Sequence, residues 1–157
     1  MDEKSVAERL QRAEELIEAL NGDVERSAEN CLDVSLDAQR LLPVVEALIE
    51  VNWGYLAAIT GLDLGAEAGE IEVLYHFCSG AAIVTLRVHT PRSQPVVPTV
   101  CDLIPSASFY ERELSEMLGV EVKGTPDPRR LFLPDEWPDG VYPLRKDFDP
   151  GALEMGQ

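Results

Sequence analysis

Beyond Gly124 the chain carries Pro126, Pro128, Pro134, Pro138, Pro143 and Pro150, a spacing that rules out a long helix or a central strand there. The same stretch holds Leu131, Phe132, Leu133, Trp137, Tyr142, Leu144 and Phe148, too much apolar surface for a segment that stays disordered. A segment with both properties needs a surface to lie on. The chain therefore divides into a core domain at residues 1–124 and an extended, Pro- and Arg-rich arm at residues 125–157.

The core reads as alternating helices and strands. Val6, Leu10, Ala13, Ile17 and Leu20 form one apolar stripe, Ser5 with Glu8 fits a capping box, and Asn21-Gly22 ends that first helix. Residues 31–36 alternate as a half-buried strand, and a second helix at about 40–51 accepts Pro43 only in its first turn. Residues 55–60 are a short strand candidate and 61–69 a loop. Ile71–Phe77 and Ala82–Val88 flank Ser79-Gly80 as a hairpin. A short helix is expected over 97–104, closed by Pro105, and a better marked one over 108–118. For the latter, Ser108 and Glu111 supply a capping box, and Gly119 supplies the left-handed end. This order predicts an α+β fold, a small mostly antiparallel sheet with helices packed on one face, plus the arm.

Charge and cysteine usage narrow the function. A net charge of −16 disfavours nucleic acid or an anionic membrane as direct partner, because both need basic surface. Cys31, Cys78 and Cys101 are scattered, whereas an iron–sulfur cluster takes about four cysteine ligands. They suit a reducing, cytoplasmic compartment, and no cofactor or metal site is expected. The charged start MDEKSVAERL does not resemble a signal peptide, and no apolar run approaches the ~20 residues that span a bilayer.

Candidate catalytic groups fail on geometry. Glu111 and Glu113 point about 200° apart on a helix, so they do not converge on a substrate. Together with Glu116 they read as a solvated helix face with a capping role. An enzyme using clustered carboxylates would need two of them facing each other across a cleft. His76 and His89 lack a second ligand at metal spacing. Arg129-Arg130 and Arg145-Lys146 stand out as dense basic pairs in an acidic chain. Arginine among aromatics marks protein interfaces, yet the same pairs could close on this chain's own carboxylates. A free-standing adaptor that binds an anionic ligand or partner through both pairs is a further reading.

The run YERELSEMLGVEVKGTPDPRRLFLPDEW followed by YPLRKDFD is similar to the C-terminal signature of the thirty-kilodalton subunit of respiratory-chain NADH:quinone oxidoreductase (complex I). The same module occurs in energy-converting hydrogenases. Glu111-Arg112-Glu113, Glu116, Gly119, Pro126-Asp127, Arg129-Arg130 and Pro143–Phe148 stand in the expected order. Weaker likeness runs through Leu56, Thr60, Asp63 and Val73–Tyr75, so the resemblance spans about residues 24–149. Two departures lean toward the hydrogenase branch: Gly124-Thr125-Pro126 replaces the usual Gly-His-Pro, and LFLPDEWPDGVYP follows Arg130.

The resemblance implies a non-catalytic subunit without a cofactor, peripheral to the cell membrane on its cytoplasmic side. Its partners would be the large catalytic subunit and neighbouring subunits of the same complex. It favours the partner-binding reading of the arm. The interface residues would be Glu111, Arg112, Glu113, Asp127, Arg129, Arg130, Trp137, Tyr142, Leu144, Arg145, Lys146 and Asp147. Glu111, Arg112 and Glu113 would orient the arm or the interface.

Overall fold

The computed structural model describes residues 3–154. Its elements run α1 (Glu3–Glu18), β1 (Asp23–Ala28), β2 (Cys31–Leu36), α2 (Ala38–Glu50), β3 (Tyr55–Asp63), β4 (Glu70–Ser79), β5 (Ala82–Pro91), β6 (Val96–Pro98), α3 (Ala107–Leu118), β7 (Glu121–Lys123) and α4 (Gly151–Glu154). Five strands form one sheet in the order β1-β2-β5-β4-β3, and every neighbouring pair is antiparallel except β2 with β5. The hairpin of β4 and β5 turns on Gly80-Ala81, with Ser79 opposite Ala82 and Gly80 at φ 63°. The α+β expectation is borne out.

One sheet face is apolar because alternate residues of each strand repeat there. Val34, Val73, Tyr75, Leu86 and Val88 on that face are buried beneath Leu10, Ala13 and Ile17 of α1 and Leu41, Val44 and Leu48 of α2. The opposite face is polar. Arg87 there bridges Asp33 and Glu72, and His76 sits between the hydroxyls of Thr60 and Thr85.

Helix α3 crosses β3 at Gly61. A Cβ there would lie 2.2 Å from a methyl of Leu118 and 2.7 Å from one of Leu114, so glycine lets the helix close on the strand. The buried groups of α3 are Ala107, Glu111, Leu114, Glu116 and Leu118. A carboxylate thus occupies the inward stripe.

Several local expectations need correction. Residues 97–104 are not a helix: β6 pairs in parallel with β7, Val97 opposite Val122, and prolines at 95 and 98 favour extended backbone. β3 runs on through Gly61 to Asp63, residues expected as a loop, because they pair with β4. β1 and β7 are strands that the sequence pattern does not mark. α2 starts at Ala38 behind the Asp37 cap, which puts Pro43 inside the helix rather than in its first turn. Pro43 is exposed, so water can take the carbonyl that its missing N–H leaves free. Ser106, not Ser108, precedes α3 and makes no side-chain cap bond, and Glu111 points inward instead of closing a capping box. α1 is already helical at Glu3, and the side chain of Ser5 lies outside the described residues.

Candidate partner interface

Helix α3 grips the arm through backbone groups. Arg112 donates from Nε to the carbonyl of Arg129 (2.7 Å) and from Nη2 to that of Arg130 (2.6 Å), and its Nη1 lies 3.4 Å from Asp127. One turn on, the carboxylate of Glu116 accepts from the amides of Leu131, Phe132 and Leu133 at 3.0, 2.8 and 3.2 Å. Arg112 takes carbonyls and Glu116 takes amides, so the register of residues 129–133 is fixed whatever side chains they carry.

Arg130 organises the next bend. Its Nη1 donates to the carbonyls of Pro134 and Trp137, and its Nη2 to Asp139. Trp137 donates to the carbonyl of Val141 and its ring lies 6.2 Å from that of Phe148. Tyr142 then lies against Gly119, where a Cβ would be 2.4 Å from the ring and where φ is 72°. Glycine is required there twice over, for the left-handed backbone and for the contact. Arg145 stacks over Tyr142 at 4.7 Å and donates to the carbonyl of Leu118.

The arm's far end is tied to the sheet by Asp63. That carboxylate, at the end of β3, accepts two bonds from Arg92 and one each from the amides of Gly65 and Lys146. Arg92 also reaches Asp147 at 2.7 Å, and Nζ of Lys146 lies 3.4 Å from the carbonyl of Leu64.

Glu111 is 2% exposed. It accepts from the Thr99 hydroxyl (2.7 and 3.0 Å), from the Val100 amide (2.8 Å) and from the Cys101 thiol (3.1 Å). It thereby fastens the chain after β6 to α3. Burial pushes the Cys101 thiol up to about 11. Burial also raises the Tyr75 phenol, with the Glu111 charge adding to it.

The expected interface residues thus fall into two sets. Glu111, Arg112, Arg130, Arg145 and the Lys146 amide face inward on this chain, whereas Leu144 is 58% exposed and the Arg129 side chain 81% exposed. Phe132, not among the expected interface residues, is 64% exposed. Glu113 lies beside β3 in a shallow groove with Met117 and Leu144. The two basic pairs do not share one cleft: Arg129 and Arg130 line the cleft along α3, while Arg145 and Lys146 attach at Leu118 and at the end of β3. Glu116 is no solvated glutamate, being 8% exposed. Asp63, Arg92 and Thr99 are structural partners that no helical or strand periodicity marks. One signal is present: Glu111, Leu114 and Leu118 follow i, i+3, i+7, which places Glu111 on the buried stripe. Thr125, at the departure from Gly-His-Pro, has a buried hydroxyl with no hydrogen-bond partner among the described residues. Among those residues no group of three His, Cys, Asp or Glu could hold a metal ion, and no helix is long and apolar enough to cross a membrane.

Acid should loosen this attachment. Asp63 and Asp147 are held below the ordinary carboxylate range by hydrogen bonds from Arg92, and Asp127 by those from Arg129. A carboxylate whose folded-state pKa is depressed contributes stability above its unfolded value, near ~4, and loses it as pH falls toward the folded value. Amide protection over residues 127–149 is expected to hold from about pH 7 to 5 and to decline below about pH 4. Loss of protection already at neutral pH would contradict this assignment.

The profile of the family described as "Respiratory-chain NADH dehydrogenase, 30 Kd subunit" matches residues 34–153. The chain belongs to this family. An NADH-quinone oxidoreductase subunit from Roseiflexus sp. (strain RS-1) is 32% identical to it, over 99% of the chain and 88% of that protein. The membrane-bound hydrogenase subunit beta of Pyrococcus furiosus is 43% identical over 88 residues, 54% of the chain and 50% of the relative. The chain thus matches only half the length of that hydrogenase subunit. A chain from the membrane-bound sulfane sulfur reductase, an archaeal respiratory membrane complex, superposes with TM-score 0.79 at 25% identity, covering 92% of this chain and 88% of its own. Residues 1–124 are 124 of 157, less than that coverage, so the superposition runs into the arm. The resemblance read from the motifs is borne out.

Proposed function

We propose that this protein is a non-catalytic structural subunit in the hydrophilic arm of a membrane-associated complex, either NADH:quinone oxidoreductase-like or energy-converting hydrogenase-like. Residues 125–149 dock on the large catalytic subunit and support electron transfer by holding that subunit in position against its neighbours, on the cytoplasmic side. The observation that carries this reading is the way the arm is held. Arg112 and Glu116 bind the backbone of residues 129–133, and the carbonyls of Met117 and Leu118 hold Leu144 and Arg145, which leaves Phe132 and Leu144 outward at 64% and 58% exposure. Large apolar side chains held outward on an ordered segment are what a partner's surface covers. The names of the relatives, one a complex I subunit and the other a hydrogenase subunit, support the class of complex.

The test is co-purification from cells that co-express the large subunit. Phe132→Asp combined with Leu144→Asp is expected to lower recovery of the large subunit at least about tenfold, because interface anchors are each worth about 2 kcal/mol or more. The melting temperature of the isolated protein should stay within about 2 °C, since both side chains are solvent-exposed. Unchanged recovery with the double variant would sink the docking reading.

A further inference from the structure

Between α3 and the arm lies a cleft of about 290 Å³, slightly below the ~300–1,000 Å³ of sites that enclose a small molecule. That volume suits one or two side chains of a peptide better than a cofactor. Leu133, Trp137 and Tyr142 give it apolar walls, and Ser115 lines it from α3. Its charged lining is three guanidiniums, Arg112, Arg129 and Arg130, against the carboxylates of Glu116 and Asp139. Asp127 pairs with Arg129 and lies 3.4 Å from Arg112, so three guanidiniums balance three carboxylates. On a chain of charge −16 the cleft is thus a local relief of negative charge that an acidic group can approach.

The three guanidiniums are not equivalent. Arg112 and Arg130 are turned onto backbone carbonyls of this chain. Glu116 is taken up by three amides, and Asp139 by Arg130. Arg129 is different. Asp127 holds its Nε and Nη2 at 2.8 Å each, which fixes the side chain, while its Nη1 makes no hydrogen bond among the described residues. A guanidinium already locked in place and open on one edge loses little entropy on meeting a carboxylate.

We propose that this cleft receives an extended segment of the large subunit, which sets an apolar side chain against Trp137 and Tyr142 and an adjacent carboxylate on Nη1 of Arg129. This rests on the docking reading above and names the chemistry of the partner's segment. A charged hydrogen bond of this kind, made at the exposed edge of the cleft beside Trp137 and Tyr142, serves recognition more than fold stability.

Co-expression with the large subunit tests it through two variants of different kind. Arg129→Glu is expected to reduce co-purification at least about tenfold, and Ser115→Phe, which fills the cleft from the helix side, to do the same. Amide exchange on the wild-type complex should locate a protected segment of the large subunit that contains an Asp or Glu. Changing that acid to Lys should restore binding to Arg129→Glu and to no other variant. Wild-type recovery with both variants, or a protected segment without a carboxylate, overturns the proposal. Should Ser115→Phe lower the melting temperature, Arg129→Glu with its charge-reversal rescue decides, because a loss caused only by breaking the Arg129–Asp127 pair is not restored by a Lys in the partner. If Phe132→Asp with Leu144→Asp releases the partner while Arg129→Glu and Ser115→Phe retain it, the cleft assignment fails and the docking reading stands.

Discussion

Asp63→Ala is expected to lower the melting temperature of the isolated protein by roughly 10 °C, corresponding to about 3 kcal/mol. The size follows from what the carboxylate does. It is 6% exposed and accepts from Arg92 twice, from the Gly65 amide and from the Lys146 amide. Alanine removes all four bonds and leaves the Arg92 guanidinium, itself mostly covered, with Asp147 alone. Breaking a buried pair from one side costs more than the pair contributes net, because the remaining charge has lost its partner but not its burial. Residues 145–149 should exchange their amides faster at the same time, since the Lys146 amide bond to Asp63 is one of the arm's ties to the sheet. Asp63→Asn is the informative companion. It preserves shape and one acceptor, and should recover part of the loss. A drop of less than about 3 °C with Asp63→Ala would show that Arg92 finds other acceptors and that the arm does not depend on this carboxylate.

Glu116→Ala should act more locally and almost as strongly. Three consecutive amides, those of Leu131, Phe132 and Leu133, converge on one carboxylate. Removing it should cut amide protection over 129–133 about a hundredfold, equivalent to ~2.7 kcal/mol, as hydrogen bonds to a charged acceptor are lost. Sheet amides in β4 and β5 should hardly change, the result expected of an arm that opens as a unit of its own. Glu116→Gln should fall between, since its amide nitrogen faces N–H donors it cannot satisfy. Equal loss of protection in the sheet and in the arm would mean that core and arm unfold together, and that the division at residue 124 has no energetic meaning.

These two carboxylates show where sequence reading runs out. Helices α1 and α3, the β4–β5 hairpin and the helical end at Gly119 are set by local spacing, and each lies near where its pattern puts it. Local rules work there because the period of apolar residues and the backbone freedom of glycine act within a few residues. β1 and β7 carry no such pattern because they are exposed or short, so pairing alone defines them. The 97–104 stretch departs from its helical expectation for the same reason, since its strand exists only through its parallel partner at 121–123.

Ordered motifs identified the family, and six prolines with seven large apolar residues defined an arm that had to lie on something; both were written in the chain. Composition could not say which arginines face the solvent. That choice belongs to contacts made across long separations: Arg112 reaching residues 129 and 130, Glu116 reaching 131–133, and Asp63 reaching Lys146. A glutamate on a helix looks solvated until another segment brings backbone amides to it. Only the tertiary fold decides whether a charge meets water, its own chain or a partner, because that depends on which groups are nearest in space.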